Sequence, residues 1–343
     1  MIKVAIVGAT GYTGVELIRY LKLHPEVELF SLVSHSNNGK KLSQVYPQFA
    51  GDLVLEEFDS DKLSNCDIVF TALPHGVSQK RVAELYEKGV RVIDLSGDFR
   101  YQETGIYEKW YQEKHHFPEL MSESVYGLVE LNRERIKKAS LVANPGCYPT
   151  ASILGIFPLL NKGLVQKNSI IIDAKSGVSG AGKTPGKGTH FCEVDESIKA
   201  YGIGTHRHTS EIEANLGYLS GKKEVQVSFT PHLVPMKRGI LATIYADLEQ
   251  KVALNELYAA YEECYGDSYF INIFKNKSPE TKHVYGSNYC QIGVNLDVRN
   301  SRAIIVSAID NLGKGAASQA IQNMNVLFSL PEETGLESSP VFP

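Results

Sequence analysis

The residue best placed to do chemistry is Cys147, held in "NPGCYPT" at 144–150 between a Pro-Gly turn and a second proline. The segment before it, "SLVANP", reads as a strand, and Pro149 suits the first turn of a following helix. A thiol at a helix N-terminus meets the positive end of the dipole and the uncapped N–H groups, and both favour the thiolate. Cys66, Cys192, Cys264 and Cys290 lack such a frame and read as ordinary small apolar residues. A thiolate beside a nicotinamide points to thioester chemistry, in which an acyl group is captured by sulfur and then reduced. Such a cycle needs an acid/base, and "GTHRHTSEIE" at 204–213 supplies His206 and His208, with Glu211 available to orient an imidazole. Two histidines at i, i+2 could instead edge a metal site, but no matching cluster completes a tetrahedral set, so no metal is expected.

An anionic substrate needs cations. Arg100 ends "DLSGDFR" just past an expected strand, and "PMKRG" at 235–239 offers Lys237 and Arg238. Arg207 and Lys183 are further candidate phosphate ligands, although single cations of this kind are commonly surface ion-pair partners. The loop "KSGVSGAGKTPGKG" at 175–188 is small and glycine-rich after a strand, suited to close backbone approach to a ring or phosphate.

A second constellation opens the chain. "GATGYTG" at 8–14 follows a strand and starts a helix, so Gly8, Gly11 and Gly14 allow a tight turn and bring a pyrophosphate to backbone N–H groups. Thr10, Tyr12 and Thr13 lie within the same loop. The spacing is GxxGxxG rather than GxGxxG, and a plain strand-to-helix turn would also use glycines; position at the first βα junction favours nucleotide binding. The second strand ends "SLVSHSNNGKK", where an NAD-binding fold carries an acid. Ser34, Ser36, Lys40 and Lys41 stand there instead and suit a 2′-phosphate, which predicts NADP(H) over NAD.

The elements that must position these groups alternate through the first third: "KVAIV" at 3–7, a helix from Tyr12, "VELFSLV" at 27–33, "DIVFTAL" at 67–73, the helical "SQKRVAELYEKG", "VRVIDLS" at 90–96 and "SLVANP". That rhythm predicts a Rossmann-type, doubly wound parallel sheet. After the helix at "TASILGIFPLL", strands follow strands: "SIIIDAKSG", "EVQVSFTPHLVP", "GILATIYADL", "CQIGVNLDVR" and "RAIIVSAID". The expectation is an α/β chain with a second α+β domain built on a mixed or antiparallel sheet. The domains expected are 1–146, completed by a C-terminal helix over 313–330, and 147–312, with 331–343 a tail.

Composition narrows the classes. A 343-residue chain with 43% hydrophobic and 22% charged residues is ordinary for a folded protein of two domains. A net charge of −4 with dispersed cations gives no field for nucleic acid or anionic lipid. No apolar run approaches a bilayer span, "MIKVAIVGATG" reaches glycine too early for a signal peptide, and five widely spaced cysteines argue against a disulfide framework. A cytoplasmic enzyme acting on a small molecule is expected. Lone histidines such as His24, His35 and His283 read as surface or capping residues.

Taken in order, "GATGYTG", "ALPHG" at 72–76, "DLSGDFR", "NPGCYPT", "GVSGAG" at 177–182, "HRHTSEIE", "PHLVPMKRG" and "NLGKGAASQA" at 311–320 resemble the N-acetyl-gamma-glutamyl-phosphate reductase family, related in fold to aspartate-semialdehyde dehydrogenase and glyceraldehyde-3-phosphate dehydrogenase. The resemblance runs along nearly the whole chain. It implies NADPH-dependent reduction of an acyl phosphate to a semialdehyde, with Cys147 as nucleophile, His206 as acid/base assisted by His208, and Arg100 holding the acyl phosphate. It also implies that Ser176, Gly177 and Gly180 line the nicotinamide, that Asn311 reaches its carboxamide, and that the protein is a homodimer or homotetramer. Val129 stands where the family pattern has proline and Ser318 where it has glycine; neither removes a reacting group. Aspartyl or N-modified aminoadipyl phosphate would use the same chemistry, and a non-catalytic NADP-binding module would share the fold.

Overall fold

The computed structural model describes residues 1–341 apart from 223 and 276. They form two compact units: Met1–Pro145 with Ala316–Glu337, and Gly146–Gly315 with the residues from Ser338. Among the described residues, no helix is long and apolar enough to cross a membrane.

The first unit carries seven strands: β1 (Ile2–Val7), β2 (Val27–Val33), β3 (Leu55–Glu56), β4 (Ile68–Thr71), β5 (Arg91–Asp94), β6 (Val125–Tyr126) and β7 (Leu141–Ala143). They lie in the order β3-β2-β1-β4-β5-β7-β6, and every pairing is parallel. Val4, Ala5 and Ile6 are buried without exception, as in a parallel strand covered on both faces. From β1 the chain runs outward through β2 and β3, then crosses back to β4. That reversal makes a switch point beside β1, with the glycine loop at its carboxyl end. The two-residue strands β3 and β6 are too short to leave a periodic signal.

Every residue of the helix Ser318–Leu327 is buried, its amides included. Gln319 Nε2 and Asn323 Nδ2 donate to the Gly127 carbonyl at 2.9 and 2.8 Å, so the amide nitrogens of this polar helix face find partners inside the unit. The segment from Pro331, expected as a tail, is part of this network. Asn325 Nδ2 donates to the carbonyls of Glu332 and Thr334, Glu332 pairs with Arg133 at 2.7 Å, and Leu336 is fully buried. Residues 342 and 343 of that segment lie outside the described residues. His24 is likewise not a surface residue, being buried against Asn325 Oδ1 at 3.0 Å.

The second unit holds β8 (Ile170–Gly177), β9 (Lys199–Ala200), β10 (Val227–Val234), β11 (Ile240–Asp247), β12 (Ile271–Phe274), β13 (Cys290–Asp297) and β14 (Arg302–Ile309), in the order β12-β13-β14-β11-β8-β10-β9. β8 pairs parallel with β10 and antiparallel with β11, which makes the sheet mixed, as expected. The helix Cys147–Asn161 packs on β11 and β14, with Gly155 admitting the Ile244 side chain. On the opposite face alternate residues stay half-exposed: Ile171, Asp173 and Lys175 on β8, Leu241, Thr243 and Tyr245 on β11, Ile304 and Val306 on β14. Register places these side by side, Lys175 across from Leu241 and Thr243 across from Val306.

Candidate active site

The glycine loop is packed from within and open from without. A Cβ on Gly8, whose φ is +91°, would stand 2.3 Å from the Ala72 carbonyl oxygen, and one on Gly14 would stand 2.3 Å from that of Gly8. A Cβ on Gly11 would meet only the Gly8 oxygen at 3.7 Å. Gly11 is the N-cap of Tyr12–Leu21 with no side-chain cap, so the first-turn N–H groups of Tyr12, Thr13 and Gly14 face a backbone cradle suited to a pyrophosphate. Thr10 and Ser34 hydroxyls meet at 2.8 Å, joining the loop to the end of β2. Ser36 and Lys40 lie on the exposed turn that follows, where Lys40 Nζ reaches Asn37 at 3.4 Å. Lys41 is tied to Asp52. The residues present therefore fit a dinucleotide bearing a 2′-phosphate.

In the second unit Cys147 opens the helix Cys147–Asn161, half-buried, with Gly146 as N-cap. Glu211, fully buried, accepts the Gly146 N–H at 2.8 Å. The expectation that Glu211 orients an imidazole is thereby modified, because its carboxylate braces the backbone immediately before the nucleophile.

His206 sits among aromatic edges: Tyr148 at 5.9 Å, Tyr201 at 5.5 Å and Phe229 at 5.5 Å between centroids. Its Nδ1 accepts the His208 N–H at 3.1 Å, which assigns the proton of the neutral ring to Nε2. Burial, helped by the adjacent Arg207 charge, lowers its pKa to about 4. Unfolded histidine binds its proton near pH 6.5, so unfolding takes one up between about pH 6.5 and 4, and stability falls as pH drops through that window. The imidazole C–H resonance should titrate near pH 4, and His206→Asn should show a shallower acid loss of unfolding free energy than the parent. An NMR midpoint near 6.5 would contradict the buried box.

Two tyrosines that sequence reading passed over complete this wall. Tyr201 donates to the Tyr148 hydroxyl at 3.3 Å, and Tyr148 donates to the His232 carbonyl at 3.1 Å. Burial raises both phenol pKa values, and a thiolate at Cys147 would raise each further. The adjacency in "GCYPT" was the available signal for Tyr148. Tyr201 had none, since it arrives from another part of the chain.

The loop after β8 is held by Asn311, whose Oδ1 accepts the Gly239 N–H at 2.7 Å while Nδ2 donates to Ser179 Oγ at 3.0 Å. Asn311 is 2% exposed and braces this loop from within. Ser176 is buried; a Cβ on Gly177 would stand 2.8 Å from the Arg238 backbone nitrogen, and one on Gly180 would stand 3.0 Å from Ser176 Oγ. Lys183 and Arg207 are exposed. Arg100, in the first unit, is 5% exposed and donates from Nε to the Asn144 carbonyl at 2.8 Å and from Nη2 to that of Leu95 at 2.9 Å. Its guanidinium is thus fixed in orientation by two strand ends. Arg238 pairs with buried Asp310 at 3.0 Å. Among the described residues no group of three His, Cys, Asp or Glu could hold a metal ion.

Residues 3–139 match the semialdehyde dehydrogenase NAD binding domain and residues 147–311 the semialdehyde dehydrogenase dimerisation domain. The chain is 60% identical to the N-acetyl-gamma-glutamyl-phosphate reductase of Halothermothrix orenii, with all of both chains covered, and 55% identical to that of Caldicellulosiruptor bescii, with 98% of each covered. The chain belongs to the N-acetyl-gamma-glutamyl-phosphate reductase family. Solved aspartate-semialdehyde dehydrogenases share the fold: that of Vibrio cholerae has a TM-score of 0.73 at 18% identity, covering 96% of this chain and 98% of its own. One from Candida albicans, with NADP, has a TM-score of 0.71 at 17% identity and the same coverage.

Proposed function

We propose that this enzyme catalyses NADPH-dependent reduction of N-acetyl-L-glutamyl 5-phosphate to N-acetyl-L-glutamate 5-semialdehyde, with release of phosphate, as a step of arginine biosynthesis. The observation that carries this reading is a thiol at a helix N-terminus whose neighbour Tyr148 packs edge-on against His206, in a chain 60% identical throughout to such a reductase. Cys147, as thiolate, attacks the acyl carbon; the carbon–sulfur bond forms, the carbon–oxygen bond to phosphate breaks, and phosphate leaves with the electron pair. His206 Nε2–H donates to oxygen as negative charge grows, His208 holds the His206 ring through its N–H, and Glu211 holds the backbone that presents the sulfur. Arg100, Arg207 and Lys183 supply positive charge for the acyl phosphate. NADPH, when bound, supplies the hydride that converts the thioester to the aldehyde and returns the thiolate.

Gly8, Thr10, Gly11, Tyr12, Thr13 and Gly14 would hold the pyrophosphate side of NADPH and Ser34, Ser36 and Lys40 its 2′-phosphate, with Ser176, Gly177 and Gly180 lining the nicotinamide. Lys40→Ala should raise the KM for NADPH about tenfold and leave NADH kinetics unchanged, a charged hydrogen bond being worth about 1.5–3 kcal/mol. Equal efficiency of the parent with both cofactors would overturn the 2′-phosphate site. A reductase drawing on NADPH belongs in the cytoplasm.

The deciding assay runs the reaction in reverse, from N-acetyl-glutamate semialdehyde, phosphate and NADP, following NADPH absorbance. Phosphate-dependent signal with this substrate and not with aspartate semialdehyde is the expected result; signal with the other substrate alone would change the pathway, and silence would leave only a binding module. The half-exposed sheet face around Lys175, Leu241 and Val306 is read as the surface covered by a second copy in a homodimer.

A further inference from the structure

Between β2 and β3 the chain makes a long connection, residues 34–54, whose first half carries Ser36 and Lys40. Backbone bonds close its base: the Leu42 N–H meets the Leu53 carbonyl at 2.7 Å, and the Leu55 N–H meets that of Lys40 at 2.8 Å. Leu42 itself is buried. The short helix Leu42–Val45 ends at Tyr46, whose N–H bonds to the Leu42 carbonyl at 2.8 Å and whose carbonyl accepts the Phe49 N–H at 3.0 Å. One residue further on, the Ala50 carbonyl accepts Lys22 Nζ at 3.0 Å, just past the helix Tyr12–Leu21. The Tyr46 backbone is thus held on both sides by its own segment, and that segment is tied to the helix that the glycine loop opens.

From this position the half-buried Tyr46 donates its hydroxyl to the Thr10 carbonyl at 2.8 Å. That carbonyl belongs to the peptide that leads into the cradle. Across the same peptide the Gly11 N–H meets the Gly8 carbonyl at 3.2 Å, and the Gly11 carbonyl then accepts the Val15 N–H at 2.9 Å, the first bond of the helix. C=O and N–H point to opposite sides of a trans peptide, so the Thr10–Gly11 plane is gripped at both edges and cannot turn without losing both bonds. Thr10 is gripped again through its hydroxyl by Ser34, at the other end of the connection. The N–H groups of Tyr12, Thr13 and Gly14 take their direction from that plane, and an anion gains most from donors that are aimed before it arrives.

We propose that Tyr46 is a positioning residue for the dinucleotide: its hydroxyl sets the Thr10–Gly11 peptide so that the first-turn N–H groups are aimed at the pyrophosphate before the cofactor binds. The inference rests on the cofactor site read above. Tyr46→Phe removes one hydrogen bond and keeps the ring, so by isothermal titration calorimetry it should raise the Kd of NADPH and of ADP-ribose, which both carry the pyrophosphate, about fivefold each. The Kd of adenosine 2′-monophosphate, which has the 2′-phosphate and no pyrophosphate, should stay at the parental value. In turnover, KM should rise by the same factor for NADPH and NADH with kcat unchanged, in contrast to Lys40→Ala, which acts on NADPH alone. Tyr86→Phe, which removes a hydroxyl bonded to Glu123, should change none of these. A general loosening of the connection would weaken adenosine 2′-monophosphate as well, because Ser36 and Lys40 lie on it. Equal losses for the two nucleotide probes would therefore overturn the proposal, as would an unchanged Kd for ADP-ribose. A parent that binds neither ADP-ribose nor NADPH would overturn the cofactor site itself and the role of Tyr46 with it, whereas binding by the parent that the variant fully retains would overturn the role of Tyr46 alone.

Discussion

Cys147→Ser should lower kcat by at least about three orders of magnitude while leaving NADPH binding and Tm unchanged. The side chain is half-buried and serine is nearly isosteric with it, so folding should not be affected. What is lost is the nucleophile. A helix terminus contributes at most about 2 kcal/mol to an anion, enough to help a thiol ionise and far too little for an alcohol. Two measurements check this: steady-state reduction, and the mass of the protein after exposure to acyl phosphate without NADPH, which should show an acyl adduct on the parent and none on the variant. Retention of a tenth of the parental kcat would remove the thioester route.

Asp310→Ala should unfold at a temperature roughly 10 °C lower, the consequence of losing about 3–5 kcal/mol at a buried charged site. Asp310 is fully buried; Oδ1 accepts the N–H groups of Leu312 and Gly313 at 2.9 and 3.0 Å, Oδ2 accepts that of Gly286, and both oxygens face Arg238. Alanine leaves a guanidinium that is 14% exposed without its carboxylate. Activity should fall too, because the Asp310 carbonyl also accepts the Gly315 N–H at 2.9 Å, and a Cβ on Gly315 would stand 2.8 Å from that of Cys147. Asp310→Asn, which keeps the shape, should fall between parent and alanine in both calorimetry and kcat. A Tm within about 2 °C of the parent for Asp310→Ala would mean that the aspartate is not what orders this turn.

Asp310 and Tyr201 illustrate what reading the chain misses. Each acts through partners far away in sequence or through a backbone turn, and neither stands in a pattern with a periodicity or a spacing rule. The segment 331–337 departs from the expected tail for a related reason: Pro, Glu, Thr and Gly in a row describe a solvated tail unless a helix elsewhere presents buried amides, as Asn325 and Gln322 do.

The local features were legible because their causes are local. Alternation of β-branched runs with amphipathic stretches is enough for a parallel sheet, three glycines at a βα junction are enough for a tight turn that opens a helix, and a cysteine between Pro-Gly and proline is enough for a thiol at a helix N-terminus. What the tertiary structure decided is how those groups are tuned. His206 is neutral because Tyr148, Tyr201 and Phe229 exclude water from it and the His208 N–H occupies Nδ1. Glu211 serves the Gly146 backbone because the helix His208–Ser220 carries it there. Desolvation and hydrogen-bond partnership are properties of what surrounds a residue in space, and surroundings assembled from distant segments leave no mark on the order of the chain.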